Sequence, residues 1–203
     1  MQKRKRKPTN SQPAADAVVE EEPCLRQTAP LQLRYYGDPV LRKKAEPVAE
    51  ITDVELQLAE KMLITMYATG NGIGLAATQV GVLKRFLIVD ISEVADEEYE
   101  PVMLFNPEIL SAEGEAVAEE GCLSIPNVTA DVKRPEKVVI EGINVESEQV
   151  RIEADGLLAR ALQHEIDHLN GVLFIDRLSG LKRQLLAGKL RQIQLAERPG
   201  GNR

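Results

Sequence analysis

Only two histidines occur in the chain, and they stand four positions apart with a glutamate between them, in Gln163-His164-Glu165-Ile166-Asp167-His168. On a helix of about 3.6 residues per turn, positions i and i+4 lie one above the other, so His164 and His168 can grip one metal ion. Glu165, one position on, reaches toward a water held by that ion. H-E-x-x-H runs also arise by chance in helices that bind nothing, so the rest of the chain has to supply a third ligand. Cys122, in Glu119-Glu120-Gly121-Cys122-Leu123-Ser124, is one candidate, although a lone cysteine is also often a buried structural residue. Asp176 and Glu197 are the acids downstream of His168 that offer a carboxylate instead, neither with a supporting local pattern.

A thiolate, two imidazoles and a water form a tetrahedral site in which the cation lowers the water's pKa toward neutrality and polarises a substrate carbonyl. Glu165 would take the proton as the water attacks and pass it to the leaving amine, which makes amide hydrolysis the expected reaction. The resulting oxyanion needs fixed donors, and Gln79 is a candidate. Gln79 closes Gly70-Asn71-Gly72-Ile73-Gly74-Leu75-Ala76-Ala77-Thr78-Gln79. Its spaced glycines either let a substrate backbone approach closely or simply end a helix in a tight turn. No Gly-Lys-Ser/Thr follows, so this is not a Walker phosphate loop.

The elements that must position these groups are legible in part. A chain of 203 residues is long enough for one well-filled core. A net charge of -7 argues against a nucleic-acid or anionic-membrane partner, and no direct DNA binding is expected. The two cysteines, Cys24 and Cys122, lack the paired spacing of a disulfide framework, which suits a reducing compartment. No apolar run approaches the roughly 18 residues of a membrane span, so no membrane association is expected and the cytoplasm is the default. Residues 1–30 carry the basic run Lys3-Arg4-Lys5-Arg6-Lys7 and then Glu20-Glu21-Glu22, with little to bury; they read as a disordered or loosely attached extension. A nucleic-acid arm or organellar targeting by that extension stays open. A single domain is expected over 31–203.

Within it, a helix is expected after Thr52-Asp53, with Leu56, Ala59, Met62, Leu63 and Met66 at helical spacing, ending at Gly70-Asn71-Gly72. Phe86 to Ile91 and Val102 to Phe105 read as buried strands, the second punctuated by Asn106-Pro107, and Ala116-Val117-Ala118 is also strand-like. Val138-Val139-Ile140 and Val150-Arg151-Ile152 form an antiparallel hairpin pattern around Glu146-Ser147-Glu148. The histidine helix is expected from a cap at Asp155 to Gly171, with Leu158, Leu162, Ile166 and Leu169 as its buried stripe. A last helix spans about 180–196, with Leu181, Leu185, Leu186, Leu190 and Ile193 as its apolar series. With no βαβ repetition, the fold class is α+β, mostly antiparallel sheets around a central metal-binding helix, with a C-terminal helix.

Three blocks stand in order: Gly72-Ile73-Gly74-Leu75-Ala76-Ala77-Thr78-Gln79, Glu120-Gly121-Cys122-Leu123-Ser124 and Gln163-His164-Glu165-Ile166-Asp167-His168. Together they resemble peptide deformylases of the bacterial and organellar type, over about Leu33 to Leu195 and including Gly37-Asp38-Pro39-Val40-Leu41-Arg42. The resemblance implies that Cys122, His164 and His168 hold one ferrous ion, with zinc, nickel or cobalt as alternatives that the ligand types do not separate. It implies Glu165 as general base and acid, and Gln79 with the backbone N–H of Leu123 as oxyanion donors. It further implies that Ile73 and Gly74 run beside the substrate backbone, with Glu120 near the site. Leu157 and Ala161, at i-7 and i-3 from His164, face the metal side of the helix and would floor an apolar methionine pocket. The implied reaction removes the formyl group from N-formyl-methionyl nascent peptides and releases formate. A C-terminal helix with Lys182, Arg183, Lys189 and Arg191 implies a ribosome contact, against the plain alternative of solvated charge.

Two features depart from that family's pattern. One is the N-terminal extension, and the other is the stretch after Pro126, where some bacterial members have an arginine and this chain reads Asn127-Val128-Thr129-Ala130-Asp131. Two other readings compete. A zincin-type endopeptidase would take a carboxylate as third ligand, and a catalytically silent member would use its metal only to stabilise the fold.

Overall fold

The computed structural model describes residues 29–94 and 100–196. The extension expected at residues 1–30 therefore lies almost wholly outside the described residues, as do Cys24 and Glu197. The first long helix, α1 (Asp53–Ala68), begins where its cap predicts. The Thr52 hydroxyl accepts from the Val54 amide at 3.3 Å and the Glu55 carboxylate accepts from the Thr52 amide at 3.0 Å, a reciprocal capping box. Ala59, Met62, Thr65 and Met66 form its buried face. At the other end Gly70 takes the left-handed conformation, φ 74°, that stops a helix.

The strands in chain order are β1 (Gly74–Ala76), β2 (Phe86–Val89), β3 (Val102–Glu113), β4 (Ala116–Cys122), β5 (Ile125–Arg134), β6 (Lys137–Ile143) and β7 (Gln149–Asp155). Five of them make an antiparallel sheet in the order β1-β2-β3-β6-β7, and β4 with β5 forms a separate two-stranded ribbon. Strand β2 is apolar throughout because both its faces are covered. Phe86 and Ile88 meet Met62 and Met66 of α1, while Leu87 and Val89 meet the second long helix, α2 (Gly156–Leu169), through Leu162, Ile166 and Leu169. The sheet is thus sandwiched between α1 and the helix that carries both histidines. The hairpin expected around Glu146-Ser147-Glu148 is β6–β7.

Asn106-Pro107 does not end the second strand as expected. Strand β3 runs on to Glu113 with its register shifted between Phe105 and Glu108. Pro107 has no amide to give the ladder, and Asn106, at φ 52°, instead pairs its side-chain amide with both the N–H and the C=O of Val48, each at 2.8 Å. Strand β5 has no counterpart in the sequence reading, since its buried residues Ile125, Val128 and Val132 form no continuous apolar run. The last helix, α3 (Gly180–Ala196), keeps its expected bounds. Leu186, Leu190 and Ile193 pack it on β5 and on the 3-10 turn Phe174–Arg177. Leu181 and Leu185, 70% and 77% exposed, stand outside that contact, so the packed stripe is narrower than the apolar series.

The Glu55 carboxylate also pairs with Lys84. The hydrogen bond from Lys84, then those from Thr52, outweigh burial and hold its pKa down to about 2, against an ordinary 4.5. Ionised Glu55 therefore stabilises the fold fully above the ordinary value, and the contribution disappears as pH falls toward the folded value. Urea unfolding of wild type and Glu55→Gln should show midpoints furthest apart at neutral pH, converging between pH 4.5 and about 2. A gap independent of pH would mean that the charge on Glu55 contributes nothing.

Candidate active site

Helix α2 is buried along its whole length from Ala159 to Leu169, polar side chains included. This is more than a buried stripe, and it makes each polar group on the helix costly unless partnered, as all but Glu165 Oε2 and His168 Nδ1 among its buried side chains are. Two turns close over it. One is the two-residue turn Leu123-Ser124 between β4 and β5, which sets Cys122 opposite Ile125 after a bulge at Glu120/Cys122. The other is the 3-10 turn Ala77–Val80 after β1, which carries Gln79. An extended N-terminal stretch fastens both, with the Arg34 amide on the Gln79 carbonyl at 2.7 Å and the Tyr36 amide on the Ser124 carbonyl at 2.8 Å. The Thr78 hydroxyl ties the second turn to the His168 carbonyl at 3.2 Å.

The outcome is that one donor atom each from Cys122, His164 and His168 lies within 4.8 Å of the other two, the only such group of three among the described residues. The Cys122 sulfur is 3.1 Å from His168 Nε2, and the two imidazoles meet edge-on with centroids 5.0 Å apart. Asp176, the alternative carboxylate, is instead engaged by Arg42 and by the Leu173 amide. The donor set of one sulfur and two imidazoles suits a borderline divalent cation. Beside it, Glu165 is 4% exposed and its Oε2 has no partner, an orphaned oxygen that a further polar group at the site would satisfy.

Glu120 does not face the cavity with a free carboxylate. Its Oε2 meets His164 Nδ1 at 3.1 Å, and it is gripped by Arg134 at 2.6 and 2.9 Å and by Arg160 at 2.6 Å. Fixing Nδ1 in this way leaves His164 Nε2 for a metal. Burial opposes the charged His164 ring, but the neighbouring Cys122 sulfur and Glu120 carboxylate outweigh it and carry its pKa up to about 10. Burial, reinforced by the field of His164, pushes His168 the other way. Burial raises Glu165 to about 7 despite the opposing pull of His164 and Arg134. A carboxyl poised there exchanges protons readily near neutral pH. Gln79 is fully enclosed; its Oε1 accepts from the Ala76 amide at 2.8 Å, and its Nε2 points to Ser124 Oγ at 3.2 Å and the Cys122 sulfur at 3.6 Å.

These groups open into a cavity of about 430 Å³. Ile73, Gly74, Gln79, Glu120 and Leu123 line one side together with Cys122, and Leu157, Ala161, His164 and Glu165 line the helix side. A Cβ on Gly74 would stand 2.5 Å from Glu165 Oε1, so the glycine is what lets β1 pass the carboxylate. Asn127 and Thr129, in the stretch that departs from the family pattern, form part of the rim. Sequence reasoning missed Arg134, Arg160 and Ser124, and gave Asp167 no role. Asp167 lies inside the histidine block, where an acid next to His168 was the available signal.

The family model for polypeptide deformylases matches residues 30–184. The peptide deformylase of Thermodesulfovibrio yellowstonii is 50% identical over 161 residues, 79% of this chain and 96% of that protein. The crystal structure of a peptide deformylase from Legionella pneumophila superposes with a TM-score of 0.75 at 41% identity, covering 84% of this chain and all of that one, 100%. A peptide deformylase from Synechococcus elongatus, solved in complex with actinonin, gives a TM-score of 0.71 at 45% identity over 81% of this chain and 85% of its own.

Arg134 is 1% exposed and is the common partner of Glu120 and Asp167. Removing one member of such a network strands the others, at a cost of about 3–5 kcal/mol. Arg134→Met should therefore lower the unfolding free energy by that order in urea titrations, and a loss under about 1 kcal/mol would show that Arg160 and Arg177 suffice to hold the two carboxylates.

Proposed function

The chain belongs to the polypeptide deformylase family, and from that membership we propose that it hydrolyses the N-terminal formyl group of formyl-methionine on nascent polypeptides, releasing formate and a free amine. It is a hydrolase by that membership. The observation that carries the mechanistic reading is the convergence of Cys122, His164 and His168 beside the otherwise unpartnered Glu165.

In this reading Cys122 Sγ, His164 Nε2 and His168 Nε2 hold one divalent ion, Fe(2+) by family resemblance. When bound, the ion supplies Lewis acidity, bringing a water's pKa toward neutrality and polarising the formyl carbonyl. Glu165 takes a proton from the attacking water and delivers it to the departing amine nitrogen, a task matched to a carboxyl whose burial raises its proton affinity. Gln79 Nε2, fixed through its Oε1 by the Ala76 amide, donates to the developing oxyanion together with the Leu123 backbone N–H.

The strand β1 lies at the edge of its sheet, so Ile73 and Gly74 can receive the peptide as an added strand, leaving Leu157 and Ala161 under the methionine side chain. Glu120 acts here by holding His164 and Arg160 rather than by touching the peptide. Among the described residues no helix is long and apolar enough to cross a membrane. The proposed substrate is a ribosome-borne chain, with the cytoplasm as the default compartment and organellar targeting by the N-terminal extension left open, and we assign the ribosome contact to α3. There Leu181 and Leu185 stand exposed, with Lys189 and Arg191 on the same helix, while Lys182 and Arg183 are engaged by Asp131 and Asp176.

The deciding measurement is formate release from a short N-formyl-methionyl peptide, with protein purified without oxygen and reloaded with Fe(2+). Wild type should release formate and Glu165→Gln should keep its metal but lose turnover. Loss of metal in that variant would make Glu165 a ligand instead, and an inactive, metal-loaded wild type would overturn the assignment. In the same assay Gln79→Leu should lower the rate by roughly 10²-fold or more, and a near-normal rate would remove Gln79 from the oxyanion site.

A further inference from the structure

Behind Glu120 a line of charges runs from the metal-ligating helix to the surface. Arg134 Nη1 donates to Asp167 Oδ2 at 2.8 Å. Arg177, on the 3-10 turn Phe174–Arg177, clasps the same carboxylate through Nε at 2.5 Å and Nη2 at 2.6 Å. Arg134 is fully buried, Asp167 is 6% exposed, and the Arg177 side chain is 39% exposed. One buried guanidinium is therefore shared by two carboxylates, Glu120 on the ribbon and Asp167 on α2, and only the second is also neutralised from outside.

We propose that Asp167 and Arg177 are positioning residues that set how tightly the site holds its metal, acting through Arg134 and Glu120 on His164. The proposal rests on Cys122, His164 and His168 being the ligands. Glu120 already faces two guanidiniums, Arg134 and Arg160. Asp167 draws on Arg134 and so leaves Glu120 enough negative character to accept the His164 Nδ1–H, which keeps the opposite ring nitrogen basic toward a cation. Without the Asp167 charge, Arg134 belongs wholly to Glu120, and the ligand weakens. Arg177 works in the opposite sense, since it offsets Asp167 from the surface.

The opposite signs separate this role from a structural one, in which loss of either residue would only loosen the site. Zinc affinity of the full-length protein, measured at neutral pH by competition with a chromophoric chelator, supplies the test, with melting of the metal-free protein as control. Asp167→Asn should bind zinc about tenfold or more weakly. Arg177→Met should bind it about two- to fivefold more tightly, and Arg177→Lys should restore the wild-type value. In a Glu120→Gln background the Asp167→Asn effect should vanish.

Wild-type affinity in Asp167→Asn, weakened binding in Arg177→Met, or an undiminished effect without Glu120 would each overturn the proposal. Should Asp167→Asn fail to fold, Arg177→Met decides alone: tighter binding supports the proposal, and unchanged or weaker binding overturns it. A wild type that binds no zinc would overturn the ligand assignment itself, and this proposal with it, which is distinct from a wild type that binds zinc while its variants do not differ.

Discussion

A guanidinium with no contact to solvent is tolerable only when its donors are matched by charge and geometry. Arg134 meets that condition by uniting three elements: its own strand β5, Glu120 on the neighbouring β4 and Asp167 on the more distant α2. Ribbon and helix are therefore locked in one relative placement, because any slip would leave a buried charge unpaired. That placement is what brings Cys122 to the histidines. Apolar packing holds α2 to the five-stranded sheet, but Cys122 stands on the ribbon and not on that sheet, so this packing alone would not bring the thiol to the histidines.

The same interior treats its carboxylates unequally. Glu120, burial notwithstanding, is held at about 2 by His164 and Arg134, whereas Glu165 rises to about 7 with one oxygen unpartnered. Both are almost fully enclosed, so the divergence comes from partners rather than depth. A carboxylate that already accepts several hydrogen bonds keeps its charge and orients a neighbour. One left without donors is free to carry a proton. Two acids within one cavity thus come to suit different tasks.

Local chemistry made part of this legible. The H-E-x-x-H spacing, the helix start at Thr52-Asp53 and the bounds of α3 are written in consecutive residues and can be read directly, whereas the Thr52–Glu55 box shows only in the fold. Cys122 was legible only as a candidate, since its approach to His168 depends on a ribbon whose second strand, β5, shows no apolar run and contains Asn127 at φ 60°. Likewise Asn106-Pro107 looked like an end, because nothing local reveals that Val48 awaits the asparagine. Arg134 was the least visible. A single arginine closing a strand looks like surface charge until the fold brings it one carboxylate from the paired strand and another from α2.

The placement of α3 also bears on the order in which the molecule can be made. Leu186, Leu190 and Ile193 pack in the same cluster as Ile125, Val128 and Cys122, so the wall behind the cysteine turn is completed by residues that follow Cys122, His164 and His168 in the chain. During synthesis Cys122 is made first, the histidines next and the backing for the cysteine last. A copy of this chain made only as far as the start of α3 contains Cys122, His164 and His168, yet lacks the support that holds the thiol in place. Ordering of the cysteine turn thereby waits on residues made after both histidines.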